Sequence, residues 1–142
     1  MLPILIVDDD KDDQLLLATA FKENRIPNQL KFFNDGMELI NYIDPLKLEH
    51  NKLPAFILLD LNMPRLNGLQ VLKHMKEDIL LRSIPIVILS TSQSISQIRE
   101  CYKLGANCYI VKPDSFDSLM DISAQLYRFW TTVVTLPNKS RN

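Results

Sequence analysis

The chain has 142 residues, 46% of them hydrophobic, which suits one compact domain with a single well-filled core. Sixteen Lys and Arg stand against seventeen Asp and Glu, a formal charge of −1. That balance, with the basic residues scattered, lacks the basic excess of nucleic-acid-binding domains, so DNA is not an expected partner.

Leu2 to Val7 is a short apolar run ending in acid, the pattern of a buried parallel strand. Asp10 to Arg25 reads as a helix that takes its apolar positions from Leu15, Leu16, Ala18, Thr19 and Ile26 and stops at Asn24 and Pro27. Gln29 to Phe33 is a second strand. Asn34-Asp35-Gly36 then turns into a helix from Met37 to Ile43, ended by Pro45, with a polar segment up to Pro54. Ala55 to Leu59 is the most apolar strand and ends at Asp60. A loop containing Pro64 and Gly68 leads into a helix over Leu69 to Leu80. Ile84 to Leu89 forms the fourth strand, followed by Ser90-Thr91-Ser92, and the next helix runs to Leu104 with Gly105 as its cap. Cys108 to Val111 is a short fifth strand. After Lys112-Pro113 a final helix spans about Ser115 to Val133. Residues 1–133 therefore make the domain, and 134–142 are expected to be a frayed tail.

Nothing along this path reaches the ~20 apolar residues of a membrane helix, and the opening MLPILIVDDD is too short a run for a signal peptide. Cys101 and Cys108 are too few for a disulfide framework or a thiolate metal site. A soluble, cytoplasmic protein is expected. Five strands each followed by a helix imply a parallel α/β sheet covered on both faces, with ligands bound beyond the carboxyl ends of the strands.

Those ends carry Asp8 and Asp9, Asp60 and Asn62, Ser90 and Thr91, and Lys112. Singly, each has an ordinary explanation. An acid after a strand is often a helix cap, although Asp10 or Asp12 is better placed for that here; Ser90 could be a plain strand-end hydroxyl, and Lys112 a surface residue. Together, three carboxylates on one edge would repel unless a cation neutralised them, and an all-oxygen set favours a hard ion such as Mg²⁺.

ILIVDDD, FILLDLNMPRLNG, PIVILSTS and CYIVKP, in this order, resemble the receiver domains of bacterial two-component response regulators. The resemblance runs from about Leu2 to Trp130 and implies the flavodoxin-like (βα)5 fold with strand order 2-1-3-4-5. It implies that Asp60 accepts a phosphoryl group from a histidine kinase or phosphotransfer protein. Asp9, Asp60 and the backbone carbonyl of Asn62 would hold Mg²⁺ directly, and Asp8 through a water. Lys112 and Ser90 would contact the phosphoryl oxygens, and the Lys112-Pro113 peptide would be cis. Ser90 and Tyr109 would form the switch that alters the face built from the fourth helix, fifth strand and fifth helix. Such a protein is a phosphoacceptor in a phosphorelay rather than an enzyme acting on outside substrates.

The segment from Pro45 to Pro54, Phe129-Trp130 and the tail TTVVTLP further resemble small single-domain regulators paired with phytochrome-type kinases. In the last helix Phe116, Leu119, Ser123, Leu126 and Trp130 form one stripe, widened by Ile122, Phe129 and Val133; the surplus fits a homodimer through this helix or a docked partner, unless it folds back on the domain. Two positions depart from the family pattern: Thr91 is larger than usual, and Asp114, expected to cap the last helix, replaces a frequent phenylalanine. A dehalogenase-type phosphatase would need an acid where Asn62 stands. A flavin binder would need a hydroxyl- and glycine-rich loop where Asp8-Asp9-Asp10 stands. The alternative with most force is a pseudo-receiver that binds partners without being phosphorylated.

Overall fold

A computed structural model describes residues 1–137. Five strands, β1 (Ile4–Val7), β2 (Leu30–Phe33), β3 (Phe56–Leu59), β4 (Ile86–Ser90) and β5 (Cys108–Val111), form one parallel sheet in the order β2-β1-β3-β4-β5. They alternate with helices α1 (Lys11–Glu23), α2 (Gly36–Ile43), α3 (Gly68–Glu77), α4 (Ile95–Lys103) and α5 (Phe116–Arg128). The expected fold is therefore present, with the winding direction reversing between β1 and β3.

Alternation along the strands sorts the core into two layers. Ile4, Ile6, Phe56, Leu58, Val87 and Leu89 point to one face, where α1 and α5 cover them through Leu17, Phe21, Leu119 and Leu126. Leu5, Val7, Ile57, Leu59, Ile86 and Ile88 point to the other, under Leu39 and Ile43 of α2, Val71, Leu72 and Met75 of α3, and Cys101 of α4. Each helix begins with a side-chain oxygen accepting from its own first turn: Asp10, Asp35, Asn67, Ser94 and Ser115.

Several expectations change. The buried face of α1 is Gln14, Leu17, Ala20 and Phe21, while Leu15 and Leu16 are 66% and 45% exposed. Three consecutive leucines cannot share one helix face. Leu17 is selected because Gln14, one turn before it, turns inward and donates to the Asp8 carbonyl at 2.6 Å. α3 stops at Glu77, three residues early, because the Asp78 carboxylate accepts from Leu80 N–H at 2.8 Å and offers the backbone a turn instead of another helical bond. Ser115, not Asp114, caps α5: its Oγ accepts from Ser118 N–H at 3.1 Å. The Lys112–Pro113 peptide is trans, as is every described peptide bond, the form an X–Pro bond favours by about 0.5–1 kcal/mol. The polar segment before β3 contains two single 3₁₀ turns, at Asp44–Leu46 and His50–Lys52.

After Arg128 the helix widens into a π turn over Phe129–Val133, closed by Val134 N–H on the Phe129 carbonyl at 2.9 Å. Of the segment expected to fray, 134–137 are described. Leu136 there is buried in the α1/α5 layer and Val134 packs against it, while 138–142 lie outside the described residues. Among the described residues no helix is long and apolar enough to cross a membrane.

Candidate functional site

Sheet register assembles the site. Val7 pairs with Leu59, so the residues that follow, Asp8 and Asp60, leave the sheet side by side at its point of reversal. Ser90 pairs with Val111, so Lys112 follows next to the end of β4. Carboxylate oxygens of Asp8, Asp9 and Asp60 lie within 4.8 Å of one another, with Asp8 and Asp60 buried and Asp9 exposed. These hard oxygen donors fit a divalent ion such as Mg²⁺.

The backbone holds each carboxylate in place. Asp8 Oδ1 accepts from Asp10 N–H at 2.9 Å, and Asp60 Oδ1 accepts from Leu61 N–H at 2.9 Å. Gly68 fixes the loop after β3: its N–H donates to the Leu61 carbonyl at 2.9 Å, and a Cβ there would stand 2.3 Å from the Asp60 carbonyl oxygen. Only glycine permits that approach.

Lys112 Nζ lies 2.9 Å from Asp8 Oδ2, 2.9 Å from Asp13 Oδ2 and 3.8 Å from Asp60 Oδ1. Burial pushes the Asp60 carboxyl up to about 6; Lys112 opposes the rise, and the charges of Asp8 and Asp9 add to it. Asp8 is also raised, chiefly by burial. For Lys112 burial works downwards, but hydrogen bonds to Asp13 and Asp8 and the charges of Asp8 and Asp60 outweigh it and raise its pKa. The site is thus short of positive charge: one ammonium faces several carboxylates.

Ser90 is fully buried, its Oγ accepting from Ser92 N–H at 3.2 Å. Tyr109 is half-buried and its hydroxyl donates to the Ser92 carbonyl at 2.8 Å. Its own N–H donates to the Tyr102 hydroxyl at 3.0 Å. Ser90 and Tyr109 therefore grip the same short loop. Thr91 and Asn62 are exposed, and Asn62 lines an open groove of about 380 Å³ beside Asp9, with Met63, Asn67, Leu69 and Gln97. A larger cavity of about 460 Å³, lined by Leu2, Pro27, Ala55 and Tyr127 among others, lies at the opposite edge of the sheet and has no acidic or basic side chain among the described residues.

The sequence passes over one participant: Asp13 looks like an ordinary acid in the first turn of α1 until the fold sets Lys112 above it. Ser92 takes part here through its backbone N–H and carbonyl.

Comparison with known proteins agrees with this geometry. The response regulator receiver domain family matches residues 4–124. The response regulator Rcp1 of Synechocystis sp. is 33% identical over 135 residues, covering 94% of this chain and 92% of its own. The phosphorylated cyanobacterial phytochrome response regulator RcpA superposes with a TM-score of 0.85 at 36% identity, over 95% of this chain and 97% of its own. The Mn²⁺-bound form of Rcp1 gives 0.83 at 33%, over 96% and 98%. The likeness to phytochrome-associated regulators expected from the sequence is borne out.

Proposed function

This chain belongs to the response regulator receiver domain family, and from that premise we propose that it is a switch that accepts a phosphoryl group on Asp60 from a sensor histidine kinase or phosphotransfer protein. The observation that carries this reading is the meeting of Asp8, Asp9 and Asp60 within 4.8 Å, with the Lys112 ammonium on the same edge. The three carboxylates form a costly arrangement that a divalent cation relieves. Asp9, Asp60 and the Asn62 carbonyl would hold Mg²⁺ directly, with Asp8 acting through a water. When bound, the ion offsets charge on the transferring group.

An Asp60 carboxylate oxygen attacks the phosphorus of a phosphohistidine. The new P–O bond forms as the P–N bond breaks; the electron pair leaves with the imidazole, which takes up a proton. In the metal-free site the Asp60 carboxyl stands at about 6; a divalent ion held there would lower it and keep the attacking oxygen ionised at neutral pH. Lys112 pairs with the phosphoryl oxygens, and the Ser90 hydroxyl donates to one of them.

Ser90 and Tyr109 share the Ser92 loop as their hydrogen-bonding neighbour, which supports their role as the switch. Movement of Ser90 toward the phosphoryl group pulls this loop and frees the aromatic ring, biasing the face of α4, β5 and α5 between two states. Phe129 and Val133, 48% and 68% exposed, supply apolar surface at the end of that face for a second copy. The likeness to RcpA, whose name describes a phytochrome response regulator, favours a phytochrome-type kinase as the donor.

The test is incubation with acetyl phosphate, with and without Mg²⁺, followed by intact mass of the protein and of Asp60→Asn. An adduct that requires both Mg²⁺ and Asp60 is expected. No adduct under any condition makes the chain a pseudo-receiver.

A further inference from the structure

We propose that Asp13 is a positioning residue that holds the Lys112 ammonium back from Asp60 in the resting protein, so that a phosphoryl group must draw Lys112 away from α1. The inference rests on the reading of Asp60 as phosphoacceptor and adds a residue to it.

An acid in the first turn of a helix is favoured by the exposed N–H groups there, which alone accounts for Asp12 and Asp13 in composition. Asp13 does more than that. Its N–H is taken by Oδ1 of the Asp10 cap at 3.2 Å, and its Oδ2 reaches Lys112 Nζ at 2.9 Å. Asp8 Oδ2 takes a second bond from the same nitrogen at 2.9 Å. Two of the three ammonium N–H groups are therefore committed to carboxylates, while Asp60 Oδ1 stands at 3.8 Å, beyond hydrogen-bond distance. The resting lysine belongs to Asp8 and Asp13, not to the acceptor.

The two tethers are unequal. The Asp8 side chain is 4% exposed and the Asp13 side chain 35%. Giving up Asp8 would strand a buried charge, whereas water can solvate Asp13 as soon as the lysine leaves it. A phosphoryl group brings about −1.5 to −2 of charge and three acceptor oxygens. Lys112, a point charge on a flexible four-carbon stem, can pivot to it while keeping Asp8. Asp13 thus sets a threshold: its hold on the lysine is a cost that the phosphorylated state must overcome.

The experiment is calorimetric titration of the full chain with beryllofluoride at saturating Mg²⁺, for wild type, Asp13→Asn, Asp13→Glu, Lys112→Ala and the Asp13→Asn/Lys112→Ala double variant. Denaturation curves confirm that each is folded, and Lys112→Gln serves if Lys112→Ala is not. Asp13→Asn is expected to bind about three- to fivefold tighter, the scale of one ion pair partly open to water. Asp13→Glu should stay near wild type. Without Lys112, Asp13→Asn should change nothing. Equal or weaker binding by Asp13→Asn overturns the inference, as does the same gain in the absence of Lys112, which would mean a general charge effect. Those outcomes leave the phosphoacceptor reading intact; failure of wild type itself to bind overturns both.

Discussion

Asp60→Asn removes from the metal-free protein a charge that its own site opposes. The folded carboxyl stands at about 6 against 3.8 for an ordinary aspartate. At about 1.36 kcal/mol for each tenfold change in the equilibrium, that difference corresponds to roughly 3 kcal/mol. Below pH 3.8 both folded and unfolded states carry the proton, so the penalty is absent. Between 3.8 and about 6 the unfolded chain ionises first, and the folded state loses ground as pH rises. Above 6 the loss is complete and constant. The attraction of Lys112 is already contained in that value, so the gain of Asp60→Asn at pH 7 is at most about 3 kcal/mol. Urea denaturation of both proteins in a chelator, from pH 4 to pH 8, measures it. The difference between the two curves cancels titrating groups that lie away from Asp60. It should open between pH 4 and 6 in favour of the variant, then stay flat, and saturating Mg²⁺ at pH 7 should close it by stabilising wild type. A difference that does not vary with pH, or one that favours wild type as pH rises in the chelator, refutes the charge-poor site.

Gly68→Ala should lower stability by about 1–3 kcal/mol, because its Cβ would stand 2.3 Å from the Asp60 carbonyl oxygen and the loop after β3 would have to shift; denaturation midpoints at equal slope check this, and an unchanged midpoint contradicts it. Ser123→Ala should gain about 1 kcal/mol, since Ser123 Oγ is buried on α5 with no hydrogen-bond partner among the described residues. A loss of stability there would reveal a partner for the hydroxyl. Replacing both Phe129 and Val133 by glutamate should shift sedimentation toward monomer if the exposed end of the last helix joins two copies, and an unchanged profile removes that interface.

The strands and their carboxyl ends were legible because the three central, doubly covered strands read as unbroken apolar runs, and each of the five ends at a polar residue or turn. Asp8, Asp9, Asp60, Ser90 and Lys112 could be gathered from that pattern before any contact was known. What the pattern could not resolve were choices made by tertiary contacts. Leu15, Leu16 and Leu17 are equivalent as sequence, and the face of α1 is chosen by Gln14 bonding to Asp8 and by Asn24 Nδ2 donating to the Met120 carbonyl of α5 at 3.0 Å. The early end of α3 depends on which backbone group the Asp78 side chain selects. Asp114 and Ser115 are both good caps, and the chain uses the second. Asp13 acquires meaning only through a bond to a residue 99 positions away. Local chemistry thus marks the elements and the edge where the site lies, while long-range polar contacts decide rotation, length and pairing.

The central claim, that Asp60 itself takes the phosphoryl group, is tested most directly by trapping the acyl phosphate. Protein treated with acetyl phosphate and Mg²⁺ is reduced with borohydride, which converts an aspartyl phosphate to homoserine, and the modified position is read by tandem mass spectrometry. The account predicts homoserine at position 60 alone, and none when Mg²⁺ is withheld. Homoserine at position 8 or 9, or at none of the three, would contradict it.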